Sequence, residues 1–245
     1  MKCTPAETVH SGGMVLLERT DAGLYCPPGD FYVDPWRPVD RAVVTHAHSD
    51  HARWGMKRYL CARPGLEVMR LRLGPDAVIE GLDYGEAADM NGVRVSLHPA
   101  GHILGSAQVR MEYRGYVAVV TGDYKMAPDR TCETYEPVPA HLMVTESTFG
   151  LPIYRWPDPA TIAHEIDFWW QCNQAEGKAS LLMGYALGKA QRALALLNPD
   201  RGPIYLHGAL VALTAAYRNS GIALPPTLSV AEAPRDEDWG RAMIL

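Results

Sequence analysis

The chain lacks the features that would assign it to several common classes. Its five cysteines (Cys3, Cys26, Cys61, Cys132, Cys172) are an odd number, widely spaced, with no CxxC pair. That argues against both a disulfide framework and a cysteine zinc site. A reducing cytoplasm is the simplest setting. No apolar run approaches the ~18–20 residues of a membrane helix, so no membrane association is expected. The N-terminus, MKCTPAETVHSGGMVLLERT, has no apolar core behind a basic start, which argues against secretion. Internal repeats and low-complexity tracts are missing. An excess of positive charge is missing too: the net charge is −5, which excludes a globally basic nucleic-acid binder.

What is present is ordinary globular material. Apolar residues make up 47% and charged residues 21% of 245 residues, enough to bury a real core. The length falls between one domain and two full ones, at ~100–200 residues per domain. Positive charge is local. Residues 37–72 hold eight Lys/Arg against three acids, and Arg supplies 18 of the 23 basic residues. Arginine suits bidentate phosphate contacts, although a solvated face explains such a run equally well.

The first half reads as strands and loops. Val15–Leu17 is a short apolar run, and 21–28 is a turn-rich loop. Residues 31–33, 41–45, 93–97 and 142–145 read as strands. Gln108–Tyr113 and Tyr116–Val120 flank Arg114-Gly115 as a hairpin. A helix is expected over about 64–73, stopped by Gly74-Pro75. The character changes near residue 150. Asp158 is a good helix N-cap with Pro159 after it, and Ile162, Ile166, Trp169 and Trp170 give one apolar face. A buried strand over 180–183, a helix over about 187–197, a strand over 204–206 and a helix over about 209–219 follow. The tail 235–245 ends on Ala242-Met243-Ile244-Leu245, which reads as a strand.

The strongest chemical signal is Thr45-His46-Ala47-His48-Ser49-Asp50-His51, directly after an apolar strand. His46 and His48 are two apart, so an extended segment points them the same way. Asp50 and His51 follow where a turn can re-aim them. Imidazoles and a carboxylate are a ligand set that zinc takes; manganese and iron accept it as well. Two more candidates arrive at strand ends: His102 in Pro99-Ala100-Gly101-His102, and Asp123 in Thr121-Gly122-Asp123. Together they suffice for two metals. His46, His48 and His102 hold one, while Asp50 and His51 start the second, with Asp123 bridging. Two adjacent metals generate a nucleophile at neutral pH and clamp an in-line phosphoryl displacement.

HAHSDH, PAGH and TGD resemble the metal motifs of the metallo-β-lactamase fold, in the usual order. Glu146 in VTESTFG and the segment GYALGKAQR followed by PIY resemble the beta-CASP nuclease branch of that fold. GLYCPPGDFYVDPWRPVD, TGDYK and IYLHGAL resemble the ligase-associated DNA damage response exonucleases, relatives of the mRNA 3′-end processing factor. The resemblance runs over about residues 20–245.

It implies an α/β (α+β) architecture: the first part of an αββα sandwich over 1–150, an inserted α/β beta-CASP cap over 151–234, and over 235–245 the start of a strand returning to the first domain. It implies a zinc-dependent hydrolase of nucleic-acid phosphodiester bonds, a DNA exonuclease in repair, with two zinc ions. DNA is favoured over RNA, with a DNA ligase and a helicase as partners. Asp34 braces the metal loop. Asp50 ligates metal and orients the attacking water. Glu146 positions the proton donor. Lys189 and Arg192, at a helix start behind Gly184 and Gly188, meet phosphate, with solvent-facing charge as the ordinary alternative.

The resemblance also implies two further histidines beyond the cap, one as proton donor and one as ligand to the second metal. Neither motif occurs after Glu146, so the chain reads as truncated and its second metal site as incomplete. An exposed apolar face, and lower stability or activity than a full-length relative, are the expected consequences. His207 is read as a cap residue and His98 as a strand side chain. His10, His141 and His164 have no supporting context. The Trp169-Trp170 pair is read as cap core. An RNA-processing nuclease of the mRNA 3′-end type, a small-substrate hydrolase on the same fold, and a non-catalytic fragment that binds metal or nucleic acid are the competing readings.

Overall fold

The computed structural model describes residues 15–245; Cys3 and His10 lie outside the described residues. The chain divides into two compact units, the first ending at Glu146 and the second covering Ser147–Leu245.

The first unit is built on two sheets. β1 (Glu18–Thr20), β2 (Gly23–Cys26), β3 (Phe31–Val33), β4 (Arg41–Val43), β5 (Arg58–Ala62) and, after a short helix α1 (Leu66–Leu73), β6 (Ile79–Leu82) pair in sequence order. β3 to β6 run parallel. β7 (Ala87–Met90), β8 (Val93–Pro99), β9 (Ala107–Tyr113), β10 (Tyr116–Val120) and β11 (Leu142–Val144) form the second sheet, in the order β11-β10-β9-β8-β7. All its pairs are antiparallel except β10 with β11.

Period-2 alternation explains how the sheets meet. Val93, Val95 and Leu97 of β8, Val109 and Met111 of β9, and Ala118 and Val120 of β10 face Phe31, Val33, Val43, Leu60 and Leu82 in one buried core. Val117 and Val119 turn to the other face, where they pack with Val138. The β9–β10 turn puts Arg114 and Gly115 at φ 50° and 80°, the geometry a two-residue hairpin needs.

This sandwich with flanking helix is a metallo-β-lactamase-type fold. Two local expectations are corrected. The turn-rich loop over 21–28 contains β2, because Leu24 and Cys26 face inward and pair with β3. The run Val15–Leu17 is buried at Leu16 and Leu17, but the strand begins only at Glu18.

In the second unit, α2 (Pro159–Ala175) starts at Asp158, whose carboxylate accepts the Ala160 N–H at 2.8 Å. Replacing Asp158 with alanine is expected to cost about 1 kcal/mol, read as a lower urea midpoint for the unfolding of this unit. β12 (Ser180–Leu181), α3 (Lys189–Leu194), β13 (Ile204–Leu206), α4 (Gly208–Asn219), β14 (Leu228–Ser229) and β15 (Met243–Ile244) complete it, with the strands in the order β12-β15-β13-β14, all parallel.

The expectation of a tail strand returning to the first domain is overturned here. β15 lies between β12 and β13, pairing Met243 with Ser180 and Ile204. Met243 and Leu245 fill the core around Trp170, Leu194 and Leu206. Burying these side chains favours the local slot. The helix expected over about 187–197 spans only Lys189–Leu194, and of the tryptophan pair only Trp170 is core, since Trp169 is 39% exposed.

Candidate metal centre

Strand direction gathers the candidate residues. Asp34 follows β3 and His46 closely follows β4, two parallel neighbours. His102, Asp123 and Glu146 follow β8, β10 and β11, which also share one direction. The Ala107 N–H donates to the Thr45 carbonyl at 2.8 Å, so both sets of strand ends lie at one edge of the sandwich.

Two glycines permit the close approach. Gly122 sits at φ 56°, and a Cβ there would lie 2.6 Å from Thr45. Gly101 sits at φ 72°, and a Cβ would lie 2.2 Å from the Lys125 carbonyl. Ser106 Oγ accepts the His102 N–H at 3.0 Å and fixes the turn that aims His102.

His46, His48, His102 and Asp123 each offer a ligand atom, all within 4.8 Å of one another. His48 Nδ1 lies 2.9 Å from His46 Nε2 and 3.2 Å from His102 Nε2. Asp123 Oδ2 lies 3.6 Å from His102 Nε2 and 3.9 Å from His46 Nε2. Nitrogens around a tetrahedral zinc at about 2.0–2.1 Å stand about 3.3 Å apart, so the donor set fits a single metal ion.

The protonation states suit ligation. Burial, then the neighbouring histidines, holds His46 well below the ordinary imidazole value. Burial, then His48, pushes His102 down to about 4 against the pull of Asp123 and Glu146. Both rings therefore keep a free lone pair at neutral pH.

His51 lies on the other side of Asp123, its Nε2 3.5 Å from Asp123 Oδ1 and 3.7 Å from Asp50 Oδ2. Burial opposes charge on His51, but hydrogen bonds to Asp123 and Asp34 carry it up to about 10. A cation bound there would replace that proton. Asp50 is largely exposed, at 72% of its side chain. It stands outside the compact four-residue group. Asp34 braces the loop, accepting the Thr45 N–H at 2.8 Å, the Thr45 hydroxyl at 2.6 Å and the His51 Nδ1–H at 2.7 Å.

Sequence reasoning missed Thr45 as a site residue. Its Oγ1 donates to Asp34 and lies 3.1 Å from His46 Nδ1, so it accepts that N–H and leaves the Nε2 lone pair facing the other ligands. The signal was its place between strand and histidines, but a threonine ending a strand is unremarkable by itself. Thr45→Val is expected to lower metal affinity by roughly 10–100-fold, measured by competition with a zinc-sensitive dye.

The basic stretch 37–72 is largely committed locally. Arg41 pairs with Asp30, Lys57 with Asp40 and Arg63 with Asp83. Arg53 and Arg72 donate to the Asp50 and Ala47 carbonyls of the metal loop. Lys189 and Arg192 belong to the other unit. The Gly188 N–H that a phosphate would use at that helix start donates to Gln191, and the Lys189 ammonium lies 4.6 Å from the Tyr185 ring centre. His207 caps α4, His98 contacts Ser96 and Glu136, and His141 accepts the Val117 N–H.

No protein-family model matches the chain. A "Probable DNA ligase" of Opitutus terrae is 35% identical over 206 residues, covering 83% of this chain and 20% of that protein. An "RNase J-like protein" of Methanocaldococcus jannaschii is 27% identical, covering 89% and 58%. "Cleavage and polyadenylation specificity factor 73" of Drosophila melanogaster is 29% identical, covering 69% and 27%. The chain thus spans between a fifth and three-fifths of the length of these relatives.

Proposed function

We propose, from the premise that this chain belongs to the beta-CASP nucleases of the metallo-β-lactamase fold, that its metal centre hydrolyses phosphodiester bonds in nucleic acid. The observation that carries this is the convergence of His46, His48, His102 and Asp123 at one sheet edge. These four residues would hold one divalent cation, zinc by donor type. His51, Asp50 and Asp123 would contribute to a second. A cation there supplies Lewis acidity toward a phosphoryl oxygen and makes water nucleophilic near neutral pH.

The chain's own residues do the rest. Asp34 and Thr45 set the ring orientations of His51 and His46. Asp50, exposed beside His51, accepts a proton from the attacking water. Glu146 acts on His102 through its charge and would position the group that protonates the leaving oxygen, here a water molecule. Lys189, the more exposed of the two cap cations, contacts phosphate with Arg192.

DNA is the proposed substrate, because a relative 35% identical over 206 residues is named as a DNA ligase. The name of that relative also supports association with a DNA ligase. Names such as "RNase J-like protein" support RNA as the second reading.

The test is hydrolysis of end-labelled DNA and RNA oligonucleotides of one sequence, with elemental analysis of the purified chain. Expected are zinc in the protein, cleavage abolished by chelation and restored by zinc, and faster cleavage of DNA. Substrate binding should weaken with salt, with a logarithmic slope of about −0.7 per phosphate contact on single strands. Faster cleavage of RNA would reverse the substrate assignment. Absence of chelator-sensitive cleavage on either would reject the activity.

A further inference from the structure

Three residues after Glu146, the second unit opens with an exposed set of aromatic rings. Phe149, Tyr154 and Trp156 are 53%, 43% and 70% exposed. They nevertheless hold one another. Phe149 meets Tyr154 and Trp156 edge to face, with ring centres 5.0 and 5.1 Å apart. Tyr154 and Trp156 lie nearly parallel, at 11°, with centres 6.5 Å apart. Two turns fix the backbone beneath them, through Gly150 N–H to the Ser147 carbonyl and Tyr154 N–H to the Leu151 carbonyl, each at 3.2 Å. Pro152 and Pro157 stiffen the segment further.

Exposed aromatic surface of this kind costs free energy in water unless something covers it. The exposed rings and the local charge indicate what does. Trp156 is 70% exposed, so its ring offers a face on which one planar base can stack. Residues 147–157 contain no acid, and their one charged residue is Arg155, between Tyr154 and Trp156. An uncharged aromatic surface beside a guanidinium suits a polyanion with planar, apolar rings. Stacking is also indifferent to base identity.

We propose that Tyr154 and Trp156, backed by Phe149, are a stacking platform for an unpaired base of a single-stranded nucleic acid. The proposal rests on the nucleic-acid reading of the metal centre but concerns binding, not bond cleavage.

The test is fluorescence anisotropy of a short fluorescein-labelled oligothymidylate with the chain, in chelator so that no hydrolysis occurs. Trp156→Ala and Tyr154→Ala are each expected to weaken binding by about 5- to 150-fold. Trp156→Phe, which keeps a ring, should retain most of it. An abasic oligomer of equal length and charge should bind the wild-type chain about as weakly as the variants bind the thymidylate. Equal affinities for wild type and alanine variants would overturn the proposal, as would equal affinities for abasic and thymidylate strands. So would a shift in oligomeric state of the alanine variants by light scattering with binding unchanged, which would assign the rings to a protein contact. Ring-dependent binding without any metal-dependent cleavage would uphold the platform and reject the hydrolytic reading; cleavage with ring-independent binding would do the reverse.

Discussion

Asp123→Asn is expected to strip the centre of its cation and reduce hydrolysis by more than the roughly 100-fold that losing a ligand's outer hydrogen-bond partner costs. Among the described residues, Asp123 is the carboxylate that faces both His46/His102 and His51. Its Oδ2 lies within 3.9 Å of His46 and His102, and its Oδ1 lies 3.5 Å from His51. The hydrogen bond to His51, working against burial, holds its carboxyl below the usual carboxylate range, so it is anionic wherever the enzyme would work. Asparagine keeps the shape and removes that charge, leaving three imidazoles to hold a dication. The fold should persist, since no buried apolar surface is lost. Elemental analysis would show the depleted metal. A second readout is independent of metal: in the chelated variant the His51 imidazole should titrate well below about 10, because one of its two hydrogen-bonded carboxylates is gone. A variant with undiminished zinc and turnover would remove Asp123 from the centre.

How much of this was legible in the sequence depended on range. Alternation in Val93-Arg94-Val95-Ser96-Leu97 and the Arg114-Gly115 turn are local signals, and both give elements of the second sheet. The Asp158-Pro159 start of α2 is equally local. β2 was hidden because Gly23 and the prolines at 27 and 28 mimic a loop, whereas its pairing with β3 comes from tertiary packing. β15 was misplaced for a related reason. A short apolar strand does not carry the identity of its partners, and the slot between β12 and β13 exists only once the second unit has folded.

The centre shows the same division. Three histidines within six residues are conspicuous anywhere. That His102 and Asp123 join them follows from β8 and β10 running in one direction, which residue spacing alone does not show. The Thr45 link could not be read at all, because it is a hydrogen-bond geometry and not a composition.

Asp34→Asn exposes that hidden layer most directly. Asp34 has φ 45°, a conformation asparagine tolerates as well as aspartate, so the backbone carries no new strain. The side chain is the only change. Aspartate accepts from the Thr45 hydroxyl and from His51 Nδ1–H through the same oxygen, Oδ2. With the amide oxygen kept on the Thr45 N–H, an asparagine puts its NH2 where that oxygen was and turns an acceptor into a donor. His51 must then carry its proton on Nε2, the atom facing Asp123 and Asp50, which removes the lone pair a metal would use. The Thr45 hydroxyl must also reverse, and its hydrogen then competes with the His46 Nδ1–H. Both halves of the centre are therefore mis-set by one isosteric change. Metal affinity should fall by roughly 100-fold, the upper end for such outer partners, with a smaller change in unfolding free energy than Asp34→Ala. Alanine leaves the Thr45 N–H unpartnered and should cost a further ~1–3 kcal/mol. Nitrogen-15 spectra of the imidazoles would report the tautomers. Wild-type metal affinity in Asp34→Asn, with His51 still protonated on Nδ1, would show that Asp34 holds the loop without setting its chemistry.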